Sequence, residues 1–112
     1  MTVARFSEST LVCEVAEVSI VPGKSEEFVE GAAAAIDVIL GRHTAHGAHL
    51  MESIEQPDHF LLLVVWDEVQ SHTDFRDSPD FPLYRRHIQE YFSALPQVQH
   101  YRWRSGRGLP IA

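Results

Sequence analysis

An unbroken apolar run near the middle of the chain constrains the fold more than any other feature. Residues 60–65, between His59 and Trp66, contain no polar side chain, and the turn residues Pro57 and Asp58 precede them. Such a strand is typical of burial on both faces, because a half-exposed strand alternates apolar and polar residues. The sequence predicts too few helices to cover both faces of a sheet. We therefore expect a second subunit to cover the face that the helices leave open.

Length and composition predict one globular domain, residues 1–112, that binds neither nucleic acid nor a membrane. The formal net charge of −7 argues against phosphate-backbone ligands, which need clustered Lys and Arg. No stretch approaches the roughly 18 apolar residues of a membrane span, and residues 1–10 lack the apolar core of a signal peptide. The single cysteine, Cys13, cannot form an internal disulfide and lies in an apolar strand, where it is expected to be inert. These features predict a cytoplasmic protein.

Periodicity predicts a core of about residues 11–104, followed by a tail at 105–112. Strands are predicted at 11–21, 47–54, 59–66 and 98–104. The first predicted helix runs from Ser25, as its cap, to about residue 40, with Gly41 as its stop. A short second helix is predicted from a cap at Asp67 to about residue 77.

A third helix is predicted to begin with Ser78 as N-cap and Pro79 as its first residue, and to end at Pro96. Its apolar stripe consists of Phe81, Tyr84, Ile88, Tyr91 and Leu95. The resulting order is strand, helix, two strands, helices, strand. This order is typical of an α+β, ferredoxin-like split βαβ fold with an antiparallel sheet and helices on one face. The uncovered face predicts a homodimer that pairs sheet against sheet.

Several segments, in order along the chain, resemble one known family, the antibiotic biosynthesis monooxygenase domain. The segments are 18–28 with its Pro-Gly-Lys turn, Gly47, 57–60, Trp66 with its acidic neighbours, and 78–81. The resemblance covers about residues 12–103 and implies a dimeric α/β barrel. The family includes cofactor-free oxygenases of quinols and polycyclic aromatic intermediates, haem-degrading enzymes, isomerases, and members with no known activity.

Departures from the haem-degrading relatives narrow what this resemblance implies. Those relatives use an asparagine in the first strand, a tryptophan at the end of the third, and a histidine three residues before the Ser-Pro pair. The corresponding residues here are Ala16, Trp66 and Phe75, and the chain contains no asparagine. Without that histidine haem has no obvious iron ligand, unless His72, one turn earlier, takes its place. The resemblance therefore argues against haem degradation.

A cofactor-free oxygenase needs an apolar cavity for a flat ligand, exclusion of water, and one base near the phenolic proton. The predicted substrate-binding residues, each of which could instead be ordinary core, are Trp66, Phe75, Tyr84 and Tyr91. The candidate catalytic bases are His72, His87, His49 and Glu14. The alternatives for them are a surface position for the two helical histidines, the dimer interface for His49, and the wet end of the first strand for Glu14.

The sequence predicts neither a metal nor another cofactor. His43, His46 and His49 are spaced by three, but they span the predicted strand boundary at Gly47 and are not expected to share a face. The chain has no nucleophile elbow, phosphate-binding glycine loop or dinucleotide fingerprint.

The predicted function is therefore that of a homodimeric, cofactor-independent monooxygenase that oxidises a quinol or polycyclic phenol with O2. The alternatives are a non-catalytic dimer that binds aromatic ligands, and an isomerase or cyclase that uses the same base without oxygen.

Overall fold

The computed structural model describes residues 11–42 and 44–108, which form an antiparallel sheet with helices on one face. The strands are β1 Val12–Ser19, β2 Ala45–Glu52, β3 His59–Trp66 and β4 Gln97–Arg102. The helices are α1 Ser25–Arg42, α2 Val69–Arg76 and α3 Asp80–Arg86, with a 3-10 turn at Gln89–Tyr91. The strand order β2-β3-β1-β4 confirms the predicted α+β, ferredoxin-like fold. Within one chain this sheet is open and does not close into a barrel.

The apolar strand β3 lies in the interior of the sheet, between β1 and β2. The register places Leu62 opposite Ala16 and Val64 opposite Glu14. Every residue of β3 except His59 and Leu61 is buried, as the absence of polar alternation predicts. The position of this strand explains why the run ends on a fully buried Trp66.

The two faces of the sheet have different neighbours. Residues of one alternating set pack against the helices and form the core. Those from β1, from the position directly after it and from β3 are Ala16, Val18, Ile20, Phe60, Leu62, Val64 and Trp66. The other set includes Val15 and Leu63, which pair across the two central strands. None of the described helices packs on this second face. It is the face on which the sequence predicts a second subunit.

The prediction of one long third helix is wrong. Helix α3 ends at Arg86, and Leu95, predicted to lie on its apolar stripe, is 87% exposed. The chain after α3 instead bonds to the end of β1. The Tyr91 carbonyl accepts from the Val21 N–H at 2.8 Å, and the Ser93 N–H donates to the Ser19 carbonyl at 2.9 Å. These sheet-like bonds replace the helical ones that the periodicity predicts.

Several helix-end predictions are also corrected. Ser25 is the first residue of α1, and its hydroxyl donates to the Asp58 carboxylate at 2.5 Å rather than capping the helix. Gly41 lies within the last turn of α1. Helix α2 has Glu68 as its N-cap, while Asp67 contacts His46. Helix α3 has Pro79 as its N-cap instead of the predicted Ser78, although the Ser78 hydroxyl oxygen accepts the Asp80 N–H at 3.3 Å.

The strand ends differ from the predictions by one or two residues, most of all at β2, where both ends are displaced by two, while β4 ends at Arg102. Residues 105–108 of the predicted tail have no regular structure, and residues 109–112 lie outside the described part of the chain. No helix among the described residues is both long and apolar enough to cross a membrane.

Candidate functional site

A cavity of about 390 Å³ lies between the sheet and the helices. Small side chains create this space, because Ala16 on β1 and Ala32 and Ala35 on α1 line it with single methyl groups. Aromatic side chains enclose it further, among them Trp66, Phe75, Phe81 and Tyr84. The volume lies within the range of roughly 300–1,000 Å³ that is typical of small-molecule sites.

Glu14 is the acidic residue of the cavity lining, and it is only 6% exposed. It lies on the helix-facing side of β1, in the same alternating set as Ala16. Its Oε1 accepts a hydrogen bond from the Trp66 indole N–H at 2.9 Å. Burial raises the pKa of the Glu14 carboxyl to about 7, against the opposing effects of the Trp66 bond and the positive charge of Arg76. The Glu14 carboxyl can therefore gain and lose a proton near neutral pH.

His72 lies beside Glu14 and is also buried, with 8% of its surface exposed. Helix α2 places its ring parallel to the Trp66 indole, with centroids 5.4 Å apart and planes inclined by 11°. His72 Nε2 lies 3.4 Å from Glu14 Oε1, and Nδ1 lies 2.8 Å from His100 Nε2 on β4. Both ring nitrogens therefore have a partner.

The contact between Glu14 and His72 is not a salt bridge near neutral pH. Burial, and then the nearby His100 and Arg76, lower the pKa of His72 to about 4. His72 is thus a neutral imidazole at a pH where the Glu14 carboxyl, with its pKa of about 7, still holds much of its proton. In the interval between these two pKa values the pair shares one proton, which resides on Glu14.

Aromatic rings in edge-to-face contact form the wall of the cavity opposite the sheet. Phe75 contacts Tyr84 at a centroid distance of 5.4 Å and Phe81 at 5.7 Å, both nearly perpendicular. Burial, and then the Glu14 carboxylate, raise the pKa of the Tyr84 phenol. Tyr84 therefore remains a phenol and can donate a hydrogen bond to a ligand.

Two arginines give the cavity positive charge in a chain whose formal net charge is −7. Arg76 of α2 and Arg85 of α3 are exposed and line the cavity, and the Arg85 guanidinium lies 5.7 Å from the Phe81 ring centroid. Guanidinium groups at an opening of this kind favour a ligand that carries, or develops, negative charge.

The structure brings most of the sequence-predicted site residues together and separates the others. Those that line the cavity are Glu14, Trp66, His72, Phe75 and Tyr84. Tyr91 packs in the core near Gly31, and His87 is exposed after the end of α3. His49 is opposite Leu63 in the register and so lies on the other face of the sheet.

Sequence reasoning missed His100, Arg76 and Phe81. A signal for His100 existed, because alternation in β4 places it on the same face as Val98, an apolar residue in a strand otherwise rich in glutamine. The register then places His100 directly opposite Glu14. Phe81 shares the apolar stripe that pointed to Tyr84, so the same signal could have found it, whereas for Arg76 the sequence offers none.

The predicted histidine series does not converge in the described residues. His43 lies outside them, His46 bonds to Asp67, and His49 faces away from the cavity. Among the described side chains, no three of His, Cys, Asp or Glu lie close enough to hold a metal ion together. Cys13 is buried, and burial raises the pKa of its thiol, so its nucleophilic thiolate is disfavoured.

The geometry of His72 also bears on haem binding. An axial ligand must offer a nitrogen lone pair to iron. Since one His72 nitrogen bonds to His100 and the other contacts Glu14, iron coordination would require one of these contacts to break. This arrangement does not fit a haem ligand.

Comparisons with known proteins agree with this architecture. The sequence model of the family described as antibiotic biosynthesis monooxygenase matches residues 11–87. A candidate antibiotic biosynthesis monooxygenase from Bordetella bronchiseptica is 35% identical, with a TM-score of 0.81 over 84% of this chain and 97% of the other. A conserved Methanosarcina mazei protein shares the fold at 19% identity, with a TM-score of 0.75 over 88% of this chain and 98% of the other.

A sequence relative extends the comparison. The uncharacterized protein YczJ of Bacillus subtilis is 27% identical over 93 residues, which are 82% of this chain and 98% of that protein. The family match spans more than half of the sequence, and the Bordetella structure exceeds 30% identity over most of both chains. The chain belongs to the antibiotic biosynthesis monooxygenase family.

Proposed function

We propose that this protein is a cofactor-independent monooxygenase that oxidises a quinol or polycyclic phenol with O2. Membership of the family supports a monooxygenase-like activity in general. The observation that supports this substrate class is the Glu14 carboxyl, buried in an aromatic-walled cavity and bonded to the Trp66 indole. A phenolic ligand supplies both the flat apolar surface and the acidic proton that such a cavity accommodates.

Glu14 is the base in this proposal, and His72 and Tyr84 are its neutral neighbours. A carboxylate whose pKa is about 7 removes a phenolic proton better than an exposed glutamate, because its basicity is closer to that of the phenol. His72, whose pKa is about 4, is a poor base. Arg76 and Arg85 would favour the phenolate that forms. His49 and His87 have no part in the step, since neither lines the cavity.

The deprotonated ring is electron-rich and can pass electrons to O2 directly, so the protein need not supply a redox group. The balanced reaction for a quinol is quinol plus O2 giving a hydroxyquinone plus water. One oxygen atom forms a bond to a ring carbon, and the other leaves as water with two hydrogens from the substrate. The four electrons that reduce O2 all come from the ring. Glu14 accepts the phenolic proton and returns it to the departing oxygen.

We also propose that the protein is a cytoplasmic homodimer whose subunits pair through the open sheet face. Val15, Leu63 and Val65 lie along the centre of this face, where Leu63 and Val65 are already buried within the single chain, so the exposed apolar area lies on the outer strands. Met51 and Tyr101, on its outer strands, are 43% and 51% exposed, which is unfavourable for large apolar side chains in water. A second copy would cover them, and the fold of the family supports such a pairing.

Oxygen uptake by the metal-stripped, flavin-free protein tests the proposal, with a panel of reduced naphthoquinols and anthrones and correction for autoxidation. We expect protein-dependent uptake, with one atom of labelled O2 in the organic product and one in water. Glu14→Gln should lower the rate by about 100-fold or more, the usual contribution of a positioned base. The matched control is Glu52→Gln, which replaces an exposed glutamate on β2 and should leave the rate of oxygen uptake unchanged.

The other outcomes separate the alternatives. Binding of these aromatics without oxygen uptake would identify a ligand-binding protein. Conversion without incorporation of labelled oxygen would identify an isomerase or cyclase that uses the same carboxyl.

A further inference from the structure

A continuous row of polar groups leads from the cavity to the protein surface. It begins at Glu14, which lines the cavity, and continues through His72 Nε2 at 3.4 Å from the carboxyl oxygen. It passes from His72 Nδ1 to His100 Nε2 at 2.8 Å. His100 is exposed on β4, whereas Glu14 and His72 are buried. The row therefore has one end in the cavity and one end in water.

We propose that Glu14, His72 and His100 form a proton-transfer chain through which the Glu14 carboxyl exchanges its proton with solvent on the side away from the cavity. His72 and His100 act through Glu14 and are positioning residues, since a ligand in the cavity would meet the carboxyl. The inference rests on the proposed function only for its purpose, which is to release the proton that the resting Glu14 carboxyl holds, so that a carboxylate is available as the base. The transfer itself can be measured without substrate.

The positions of the ring nitrogens couple the three groups, because His72 has one nitrogen toward each neighbour. When Glu14 is protonated, its O–H can donate to His72 Nε2 across the 3.4 Å contact, and the His72 Nδ1–H donates to His100 Nε2. Loss of the Glu14 proton reverses both bonds. The His72 Nε2–H then donates to the carboxylate, the His100 Nε2–H donates to His72 Nδ1, and one proton leaves from His100 Nδ1 to water. Return of a proton from water follows the same path in reverse.

The residues around Glu14, His72 and His100 favour neutral imidazoles, and the exchange of tautomers requires neutral imidazoles. Burial, and to a smaller extent Arg76, lower the pKa of His72 and His100, while at Glu14 the charge of Arg76 partly offsets the rise in pKa that burial causes. The other groups that face the Glu14 end are the Trp66 indole, which donates to it, and the Tyr84 phenol, which stays protonated. Arg85 adds a second positive charge on the α3 side of the cavity.

A water path through the cavity mouth is the alternative route to solvent. A flat ligand that fills the cavity would displace that water, so a route behind the carboxyl gives Glu14 access to solvent whether or not the cavity is occupied. The β1–β4 pairing supplies this route, since Glu14 and His100 are direct partners in the antiparallel register.

Nuclear magnetic resonance of the full-length protein, labelled with 15N-histidine and 13C-glutamate, tests the proposal without oxygen or substrate. As the pH is raised, we expect the ring nitrogens of His72 and His100 to exchange tautomers with the same midpoint as the Glu14 carboxyl carbon. Glu14→Gln should abolish the exchange in both rings. Histidines that keep their tautomers while Glu14 titrates would overturn the proposal.

His100→Gln provides a second, conservative test. Its amide can keep a hydrogen bond to His72 but cannot pass a proton on, so His72 should remain in one tautomer while Glu14 still titrates. A His72 exchange that persists in this variant would also overturn the proposal. His87→Gln is the control and should leave the wild-type coupling intact. An absence of oxygen uptake in the wild type would count against the oxygenase function alone, and these tautomer measurements would be unaffected.

Discussion

The indole N–H of Trp66 donates to the Glu14 carboxyl at 2.9 Å, although the two residues are 52 positions apart in the sequence. Antiparallel pairing of β1 with β3 brings them together, since Val12 lies directly opposite Trp66 and Glu14 is the next residue on the same face. The bond gives the buried Glu14 Oε1 a hydrogen-bond donor in the protein interior. It also fixes the direction in which the carboxyl faces the cavity.

Loss of this bond should raise the pKa of Glu14. The Trp66 N–H stabilises the charged carboxylate, so its removal in Trp66→Phe favours the protonated form. A hydrogen bond to a charged group contributes about 1.5–3 kcal/mol, and the expected shift is upward by about one pKa unit. The shift in the Glu14 pKa is measured by following the 13C resonance of its carboxyl carbon as the pH is changed. Trp103→Phe, at the other tryptophan, is the control, and an unchanged or lowered Glu14 pKa in Trp66→Phe would contradict the prediction.

Stability should fall as the pH rises through the Glu14 pKa. The folded protein holds the Glu14 proton to about pH 7, above the ordinary glutamate pKa of 4.5. The contribution of this bound proton to the unfolding free energy is therefore complete below about pH 4.5 and is lost by about pH 7. His72 acts in the opposite direction, because its pKa is lowered to about 4, and its contribution is lost as the pH falls from 6.5 toward 4.

Glu14→Gln removes the titrating carboxyl and keeps burial, His100 and Arg76, which are the causes of the lowered His72 pKa. Relative to this variant, the wild type should lose roughly 3 kcal/mol of unfolding free energy between about pH 5 and about pH 8. Urea unfolding at both pH values measures the difference. The unfolding free energy of the control variant Glu52→Gln should change with pH as that of the wild type does. A Glu14→Gln variant that loses stability in parallel with the wild type would show that the buried carboxyl is not the source.

The sequence supports a prediction of the fold better than a prediction of the site, for a physical reason. The pattern of apolar residues along the sequence identifies strands, and in β3 it located both the strand and its end at Trp66. Periodicity cannot say which face of β1 carries Glu14 toward the helices, because a shift of one residue exchanges the two faces. The neighbours of Glu14 depend on strand register, and register joins residues as distant as Glu14 and His100.

The error in the third helix has a related cause. Ile88, Tyr91 and Leu95 continue a helical spacing, yet at Ile88 the backbone leaves the helical region, with φ −131° and ψ −22°. Bonds from this segment to the end of β1 are tertiary interactions and leave no periodic signal in the sequence. The sequence pattern therefore overestimates the length of the helix, although Ile88 and Tyr91 do pack in the core.

Gly31 should be intolerant of a side chain. A Cβ atom at this position would lie 2.2 Å from the His87 carbonyl oxygen, so α1 and the end of α3 would have to separate. Gly31→Ala should lower the unfolding free energy by about 1–3 kcal/mol, the usual cost of overpacking. Gly41→Ala lies in the same helix with no atom within 4 Å of its Cβ, and should gain up to about 1 kcal/mol from helix propensity. Urea unfolding measures the free energy of unfolding of both variants. Equal changes in the two would contradict the close approach of Gly31 to the His87 carbonyl oxygen.

Met51→Glu should weaken the proposed dimer without unfolding the subunit. Met51 lies opposite Leu61 in the register, on the open face of the sheet, and it is 43% exposed. A carboxylate there would remain hydrated in the monomer but would lose its hydration between two apolar sheets, so association should become less favourable. Light scattering over a range of micromolar concentrations measures the mass.

Leu40→Glu is the matched control, because Leu40 is also 43% exposed but lies on α1, on the helical side of the sheet. The wild type and Leu40→Glu should have the mass of two chains at concentrations where Met51→Glu has the mass of one. A wild type with the mass of one chain would refute the dimer. Dissociation by Leu40→Glu alone would place the contact on the helices, and the apolar residues Val15 and Leu63 would then need another explanation.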